Sequence, residues 1–381
     1  MSLQVIPVTT KAALRRFIGL PAVLYAGLPG FVAPIRMDRR IILDPARGPL
    51  FRKGRAQYWI AERNGPPVGR ISAQLGGDVP KGVSPGSGHF GAIDALDDAE
   101  AISALLHTAE DWLRAEGCTS VFGPCLLSMN GEPGLMVSGQ NEPPMIMAPW
   151  HPDYLEKHLH NAGYLPVKDL HNWRLDRNNG KLAALSEQAR KTAARMQVTI
   201  RSLNMKNIGH DLAVMCDIYN DAWRDNWGFV PLGREDLTGI EKEMKPFLRS
   251  EAGIIVEQAG EPVAVMLILP NTFELSADLG MDPSPLGWLK LGLRSLRPRF
   301  QGGRIILMGI KARMRQSVGG AAIAMSLIDE LGRRFADYSW SYVEGGWVLE
   351  DNTALNRILE AGGFRRSRTF RLFEKPLLPQ G

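Results

Sequence analysis

The order of secondary-structure signals in this chain is written twice, and that repeat limits the possible folds more than any single motif. Residues 1–177 give strand, helix, hairpin, strand, helix, strand, helix and strand when read by hydrophobic period, and residues 183–381 repeat the series. Both halves close their last helix alike, at Ala162-Gly163-Tyr164 and at Gly362-Gly363-Phe364, each before a final strand. A repeat of this length means two copies of one domain rather than a solenoid. The chain's 381 residues suit two domains of ordinary size. The expected class is α+β (mixed α/β), each copy a mixed, mostly antiparallel sheet flanked by helices.

In the first copy the signals are strand Leu3–Val8, helix Thr10–Phe17 capped by Thr9 or Thr10, and an irregular apolar stretch Pro21–Pro34. A hairpin follows, Ala56–Glu62 with Val68–Leu75, turned by Asn64-Gly65. Then come strand His89–Leu96, helix Asp97–Glu116, strand Thr119–Leu127, a further strand Pro144–Met147, helix Asp153–Ala162 and strand Asp169–Leu175. The second copy reads as helix Ser186–Met196, strand Val198–Leu203 and helices His210–Trp223 and Glu235–Leu248. Its hairpin is Gly253–Gln258 with Pro262–Leu269 around Ala259-Gly260-Glu261. Strand Arg304–Gly309 runs into an amphipathic helix, and strand Trp340–Trp347, helix Thr353–Ala361 and strand Thr369–Lys375 end the chain.

The composition is that of a soluble globular protein, 45% hydrophobic and 22% charged. A net charge of +5 suits anionic partners but falls short of a nucleic-acid signature, so none is expected. Cys118, Cys125 and Cys216 have no metal-like spacing, which argues against zinc or a disulfide framework. No signal peptide and no run of about 18 apolar residues is read, so a cytoplasmic protein is expected, with contact to the inner membrane at most peripheral.

Within Gly302–Arg334 a strand leads through a basic exit (Lys311, Arg313, Arg315) into a small-residue turn at a helix start. The first amides of a helix lack intrahelical partners and the dipole favours negative charge there, so such a turn is a ready anion site. Gln316-Ser317-Val318-Gly319-Gly320-Ala321 fits Gln/Arg-x-x-Gly-x-Gly/Ala, which resembles the pyrophosphate loop of the GNAT superfamily of N-acyltransferases. The resemblance implies a sheet whose central strands splay to admit pantetheine, and an acyl-CoA co-substrate without a metal. It implies acyl-CoA binding by Gly309, Ile310, Lys311, Arg315, Gln316, Ser317, Val318, Gly319, Gly320 and Ala321. Asn352, with Gly363 and Phe364 eleven and twelve positions later, is in the superfamily's register and joins that set. The Tyr often found seven positions after the Asn, as acid toward the departing thiolate, is here Leu359. Its role would pass to Tyr338, Tyr342 or water. The first copy carries Asp94, Asp97, Asp98 and Glu100 where the phosphate turn would lie. One acyl-CoA site is therefore expected, in 183–381, with 1–177 a degenerate copy on the acceptor side or purely structural.

Three further segments are 219–231, from Tyr219 to Pro231; Phe122-Gly123-Pro124 with Asn130, Glu132 and Gly134; and Lys168-Asp169-Leu170. With them nearly the whole chain resembles a bacterial tandem-GNAT group that includes the ceramide synthases. The resemblance implies acyl transfer from a thioester of CoA or of acyl carrier protein to a lipidic or small-molecule amine, foremost a sphingoid base. Tyr219, Trp223 and Trp227, four apart, would share a helix face with Phe229 nearby, as core packing or as an alkyl-chain channel. In the polar loop 128–140, Glu132 and Asn130 would hold an ammonium or form a solvated turn. The amine must attack as the neutral base, and the in-strand carboxylates Glu274, Asp278 and Glu344 are candidates to take its proton. Glu344, flanked by Tyr342, or Glu132 is the choice. Residues 285–299 put Leu286, Leu289, Leu293 and Leu296 on one side and Lys290, Arg294 and Arg297 elsewhere. That is either a helix at an anionic membrane surface or one covering a core. The rival readings are an aminoacyl transferase like the peptidoglycan-bridge enzymes, a small-amine N-acetyltransferase, and a non-enzymatic acyl-CoA-binding or membrane-associated scaffold.

Overall fold

Both hairpins turn as their sequences require. Asn64 and Gly65 have φ of 53° and 105°, and Ala259 and Gly260 have 52° and 80°. Two consecutive positive φ values give the turn twist that matches flanking strands. A computed structural model describes residues 2–46, 48–52, 54–76, 80–126, 128–177, 181, 187, 191, 197–233, 248–315, 318–337 and 340–377. The expected helices Ser186–Met196 and Glu235–Leu248, and the linker between the copies, lie outside the described residues but for single positions.

The elements in chain order are β1 (Leu3–Pro7), α1 (Lys11–Leu24), α2 (Arg36–Leu43), β2 (Gly54–Arg63), β3 (Pro67–Gly76), β4 (Ser87–Ala95), α3 (Ala99–Ala115), β5 (Ser120–Gly123), β6 (Cys125–Leu126), β7 (Glu132–Pro133), β8 (Leu135–Ser138), α4 (Tyr154–Asn161) and β9 (Leu165–Asp176). They continue with β10 (Val198–Ser202), α5 (Ile208–Trp223), β11 (Gly253–Gln258), β12 (Glu261–Pro270), α6 (Pro285–Leu296), β13 (Gly302–Ile310), α7 (Ala312–Arg315), α8 (Val318–Asp337), β14 (Tyr342–Leu349), α9 (Thr353–Ala361) and β15 (Arg365–Pro376). Two compact units result: Met1–Leu170 with Phe273–Pro298 and Arg368–Gly381, and His171–Thr272 with Arg299–Ser367. Helix α6 and the end of β15 thus belong to the first unit.

In the first unit β1 to β4 are antiparallel neighbours, β4 pairs with β5 in parallel, and β15 runs antiparallel to β5. Leu105, Leu106, Ala109 and Leu113 of α3 fill the core against Ile71, Phe90, Ile93 and Val121. In the second unit β10 to β13 are antiparallel and β13 pairs with β14 in parallel. Ile323, Leu327, Ile328 and Leu331 of α8 pack there on Val256, Val263 and Val343.

The two units share one local construction. The register of β3 and β4 shifts between Arg70 and Ser72, next to Ala92 at φ 43°, and that of β12 and β13 shifts around Ile306. Beside each bulge the parallel pairing stops. Only Ser87–His89 pair with β5, and only Gly302–Ile305 pair with β14. A bulge bends its strand away from its neighbour, so each sheet opens into a fork.

Several expected elements differ. Helix α1 continues through Pro21 to Leu24, where the sequence suggested irregular chain. Proline has no N–H for the carbonyl four residues back, and that carbonyl, Phe17 O, accepts instead from Arg70 Nη1 at 2.7 Å. The expected strand 119–127 is broken at Pro124 into β5 and β6. Residues 144–147 form no strand; β8 takes that place and pairs with β15. Helix α2 was not anticipated.

Candidate functional site

In the second unit β13 and β14 part after Ile305 and Gly345. Glu344, opposite Arg304 in the register, lies one residue before the fork, and both side chains are 1% exposed. Glu344 Oε1 accepts from Asn172 Nδ2 at 2.8 Å, Oε2 accepts from Ser367 Oγ at 3.0 Å, and Arg304 Nη1 lies 3.9 Å from Oε1. A buried charge is tolerated only when paired and hydrogen-bonded, and this carboxylate has both. The Arg304 guanidinium lies over the Trp347 ring at 5.3 Å. Among the described residues, Asn172 Oδ1 and Trp347 Nε1 are buried without a partner. Such orphan atoms are rare in folded proteins and mark places where a ligand or water completes the bonding.

Past the fork, Trp223 Nε1 donates to Met308 O at 3.0 Å, and a Cβ at Gly309 would stand 3.3 Å from Ala222 of α5. Tyr219 stacks on Trp223 at 5.3 Å and on Phe229 at 5.7 Å. The helix ends at Trp223, so Trp227 does not share its face as the spacing of four suggested. Burial raises the Tyr219 hydroxyl far above its ordinary range, so it stays protonated.

Beyond Ile310, the Lys311 and Arg313 side chains pair with Glu261 at 2.8 and 2.6 Å, which holds that carboxyl down at about 2. Asp221 Oδ2 accepts from Ala312 N at 2.6 Å. Arg315 is exposed, and Gly319, Gly320 and Ala321 form the first turn of the 20-residue α8. A Cβ at Gly320 would come 2.4 Å from Met314 O, so only glycine admits this close turn. Gln316, Ser317, Tyr338 and the Val318 side chain lie outside the described residues. Asn352 caps α9, its Oδ1 accepting from Leu355 N at 3.3 Å, and Leu359 is core. The fork and the long helix that starts just past it suit a pantetheine arm and its pyrophosphate.

Tyr342 sits at the paired end of the strands. It packs where a Gly302 Cβ would be, with Asn271 Nδ2 3.2 Å from its hydroxyl and the Arg174 guanidinium 3.9 Å from its ring. Glu274 and Asp278 are not in a strand. Glu274 lies in a 3₁₀ turn, and Asp278 is gripped by both Arg294 nitrogens, at 2.5 and 2.9 Å, which holds its carboxyl at about 2.

Glu132 lines a cavity of about 100 Å³ whose walls all belong to the first unit. Its Oε1 accepts from Arg39 Nη1 at 2.7 Å. Asp94, read as part of an acidic turn, is instead buried on β4, where its Oδ2 accepts from Arg70 Nε at 2.8 Å. The rest of that acidic run is also paired, Asp98 capping α3 and bonding Arg63 with Glu100. His151, 7% exposed, accepts at Nδ1 from Met136 N at 3.1 Å, which leaves the proton on Nε2. Burial holds the imidazole below its ordinary range, with Asp94 and Glu132 acting against that shift. Asn130 is half-buried outside the cavity lining. No pattern in the sequence points to His151, Asn172 or Trp347; a charged Arg304 inside an apolar strand is the one signal available.

No family model matches the chain. A bacterial ceramide synthase of Caulobacter vibrioides (strain NA1000 / CB15N) is 35% identical over 376 residues, 98% of each chain. Protein YghO of Escherichia coli (strain K12) is 33% identical over 371 residues, 96% of this chain and 94% of that one. The chain belongs to the bacterial ceramide synthase family. A tandem GNAT protein from the clavulanic acid biosynthesis pathway superposes with a TM-score of 0.57 over the whole of both chains at 11% identity, which shows the tandem GNAT fold. The chain is accordingly a GNAT-type N-acyltransferase. Among the described residues no helix is long and apolar enough to cross a membrane, and no group of acidic, His or Cys side chains is placed to hold a metal.

Proposed function

We propose that this enzyme moves a long-chain acyl group from acyl-CoA to the amino group of a lipid amine, a sphingoid base. The observation that carries the reading is the end-to-end likeness to a protein named bacterial ceramide synthase. The fork of β13 and β14 supports it as the place for the thioester, with Gly319, Gly320, Ala321 and Arg315 toward the phosphates. In the reaction the amine nitrogen attacks the thioester carbonyl, the C–N bond forms, the C–S bond breaks, and the nitrogen's proton leaves as the thiolate gains one. Trp347 Nε1–H, buried without an acceptor among the described residues, is the donor offered to the developing oxyanion. Glu344 has both oxygens engaged, which suits holding the two strands at the fork more than exchanging a proton.

The lipid character of the acceptor draws support from α6. Its leucine row faces outward, and Gly287 is its only buried residue, so it covers no core. Exposed Lys290 and Arg297 accompany Leu286, Trp288, Leu289, Leu293 and Leu296, a pattern suited to the surface of an anionic membrane. The test incubates purified protein with long-chain acyl-CoA and a sphingoid base and seeks the N-acyl product by mass spectrometry. No product with these, nor with shorter acyl-CoA and simple amines, would overturn the reading.

A further inference from the structure

The cavity of the first unit is lined by three polar side chains with an atom left over after their protein bonds are counted. Asp94 gives Oδ2 to Arg70 and Glu132 gives Oε1 to Arg39. Asp94 Oδ1 and Glu132 Oε2 have no partner among the described residues. His151 uses Nδ1 as an acceptor for Met136 N, so Nε2–H is likewise left to the cavity. Asp94 and His151 are both more than nine-tenths buried. Open acceptors and donors in such a place are costly unless a ligand completes them. Arg39, Arg70, Arg368 and Glu142 also line the cavity, but the atoms left open on Asp94, Glu132 and His151 are two carboxylate acceptors and one neutral donor. Apolar walls surround these groups, among them Ile18, Phe31, Leu126, Met145, Trp150 and Met281.

We infer that this cavity binds the head of an aliphatic amino alcohol or amino ketone, its ammonium donating to Asp94 and Glu132 and its neighbouring oxygen accepting from His151 Nε2. The inference rests on the acceptor being a lipid amine, and it adds which part of that amine is recognised. A simple alkyl amine would satisfy the carboxylates and leave His151 without an acceptor. The apolar walls take the start of the alkyl chain. Met281 joins them from the segment that continues into α6, and Arg36 anchors that segment by donating to both Asp282 oxygens at 2.7 and 2.6 Å and its backbone N–H to Met281 O at 2.9 Å. The helix whose leucines face outward and a wall of the cavity are therefore one continuous piece of the first unit.

The test is a binding measurement without acyl-CoA, so it does not depend on turnover. An eight-carbon 2-amino-1,3-diol and octylamine are titrated calorimetrically into wild type, His151→Phe, His151→Gln and Glu132→Gln, with a thermal melt of each. Wild type is expected to bind the amino diol at least tenfold more tightly than octylamine. His151→Phe should bring the two to parity with octylamine affinity unchanged, and His151→Gln, which keeps an N–H, should restore part of the preference. Glu132→Gln should weaken both probes about tenfold or more. Equal affinity for the two probes in wild type, or a preference untouched in His151→Phe, would overturn the inference. Product formation by wild type alongside such a result would leave the acyltransfer reading standing. Loss of preference in His151→Phe without turnover by wild type would sink that reading and keep the cavity.

Discussion

If α6 is the surface that meets lipid, removing leucines from its outward row should detach the protein from vesicles without loosening the fold. Leu289 and Leu293 are 58% and 60% exposed. Burying a leucine side chain fully is worth about 2 kcal/mol, and the six-tenths still exposed leaves about 1.2 kcal/mol for each to gain in a membrane interface. The double change Leu289→Ser with Leu293→Ser should thus cost about 2.4 kcal/mol of partitioning, roughly fiftyfold at 1.4 kcal/mol per tenfold. Surface positions away from caps and buried partners shift folding by within about 0.5 kcal/mol, so the urea midpoint should hold. Lys290 and Arg297 add about 1 kcal/mol each near an anionic surface, an attraction that salt screens. The assay is co-sedimentation with vesicles of mixed zwitterionic and anionic lipid, at low and high salt. Equal sedimentation of wild type and double variant would refute the membrane role of this helix. So would binding that ignores both the anionic lipid and the salt.

Replacing Gly320 by Val places a Cβ 2.4 Å from Met314 O and must displace the turn before α8; acyl-CoA affinity measured by calorimetry should fall at least tenfold, and an unchanged affinity would sink the phosphate-turn assignment. Glu344→Ala strands the Arg304 charge in the interior and should cost about 3–5 kcal/mol in a urea titration. Glu344→Gln keeps an acceptor and should hold kcat within about tenfold, whereas a loss of ~10²–10⁴ at unchanged stability would make Glu344 the general base after all. His151 is held neutral when folded, chiefly by burial and further by Arg70, against Asp94 and Glu132. Its folded pKa lies below its unfolded value of about 6.5, so its share of stability is complete above that pH and is lost as the pH falls through it. The urea midpoint of wild type should drop between pH 7.5 and 5.5 by more than that of His151→Phe; equal drops would show that the imidazole is not held neutral.

The parts of this molecule that the sequence shows are those fixed by neighbours in the chain. Asn64-Gly65 and Ala259-Gly260 dictate their hairpins, Asp98 and Asn352 cap their helices, and the repeat announces two copies of one domain. What stayed hidden depends on residues far away in the chain. Pro21 would end a helix but for Arg70, which lies 49 positions on and takes the carbonyl that Pro21 leaves open. The leucine spacing of α6 gives an amphipathic helix whichever way it faces, and only the packed chain shows the apolar side turned outward. Glu344 reads as a site residue because a carboxylate interrupts a strand. The same interruption follows from a buried pair with Arg304, forty positions earlier, which no periodicity connects. The cavity draws Arg39, Asp94, Glu132 and His151 from four separate segments; of these the sequence marks Glu132 as a site residue and Asp94 only as part of an acidic run.

The two copies diverge at the fork itself. In the second, the strand beyond the bulge is Leu307–Ile310, without a charge, and the ionic pair Arg304–Glu344 lies before the parting. In the first, Asp94 and Arg70 are themselves the register partners beyond the bulge, so the charge sits inside the opening. An uncharged fork suits a neutral thioester arm, and a fork holding an ion-paired carboxylate with one oxygen open suits a polar, hydrogen-bonding head. Arg70 serves the fold and the cavity together: one nitrogen satisfies Phe17 O in the proline-interrupted helix, and two others hold Asp94 with its second oxygen open. A helix interrupted by proline therefore persists because the guanidinium that orients the cavity's carboxylate also mends the break, and the loss of either proline-bearing α1 or Arg70 would undo both.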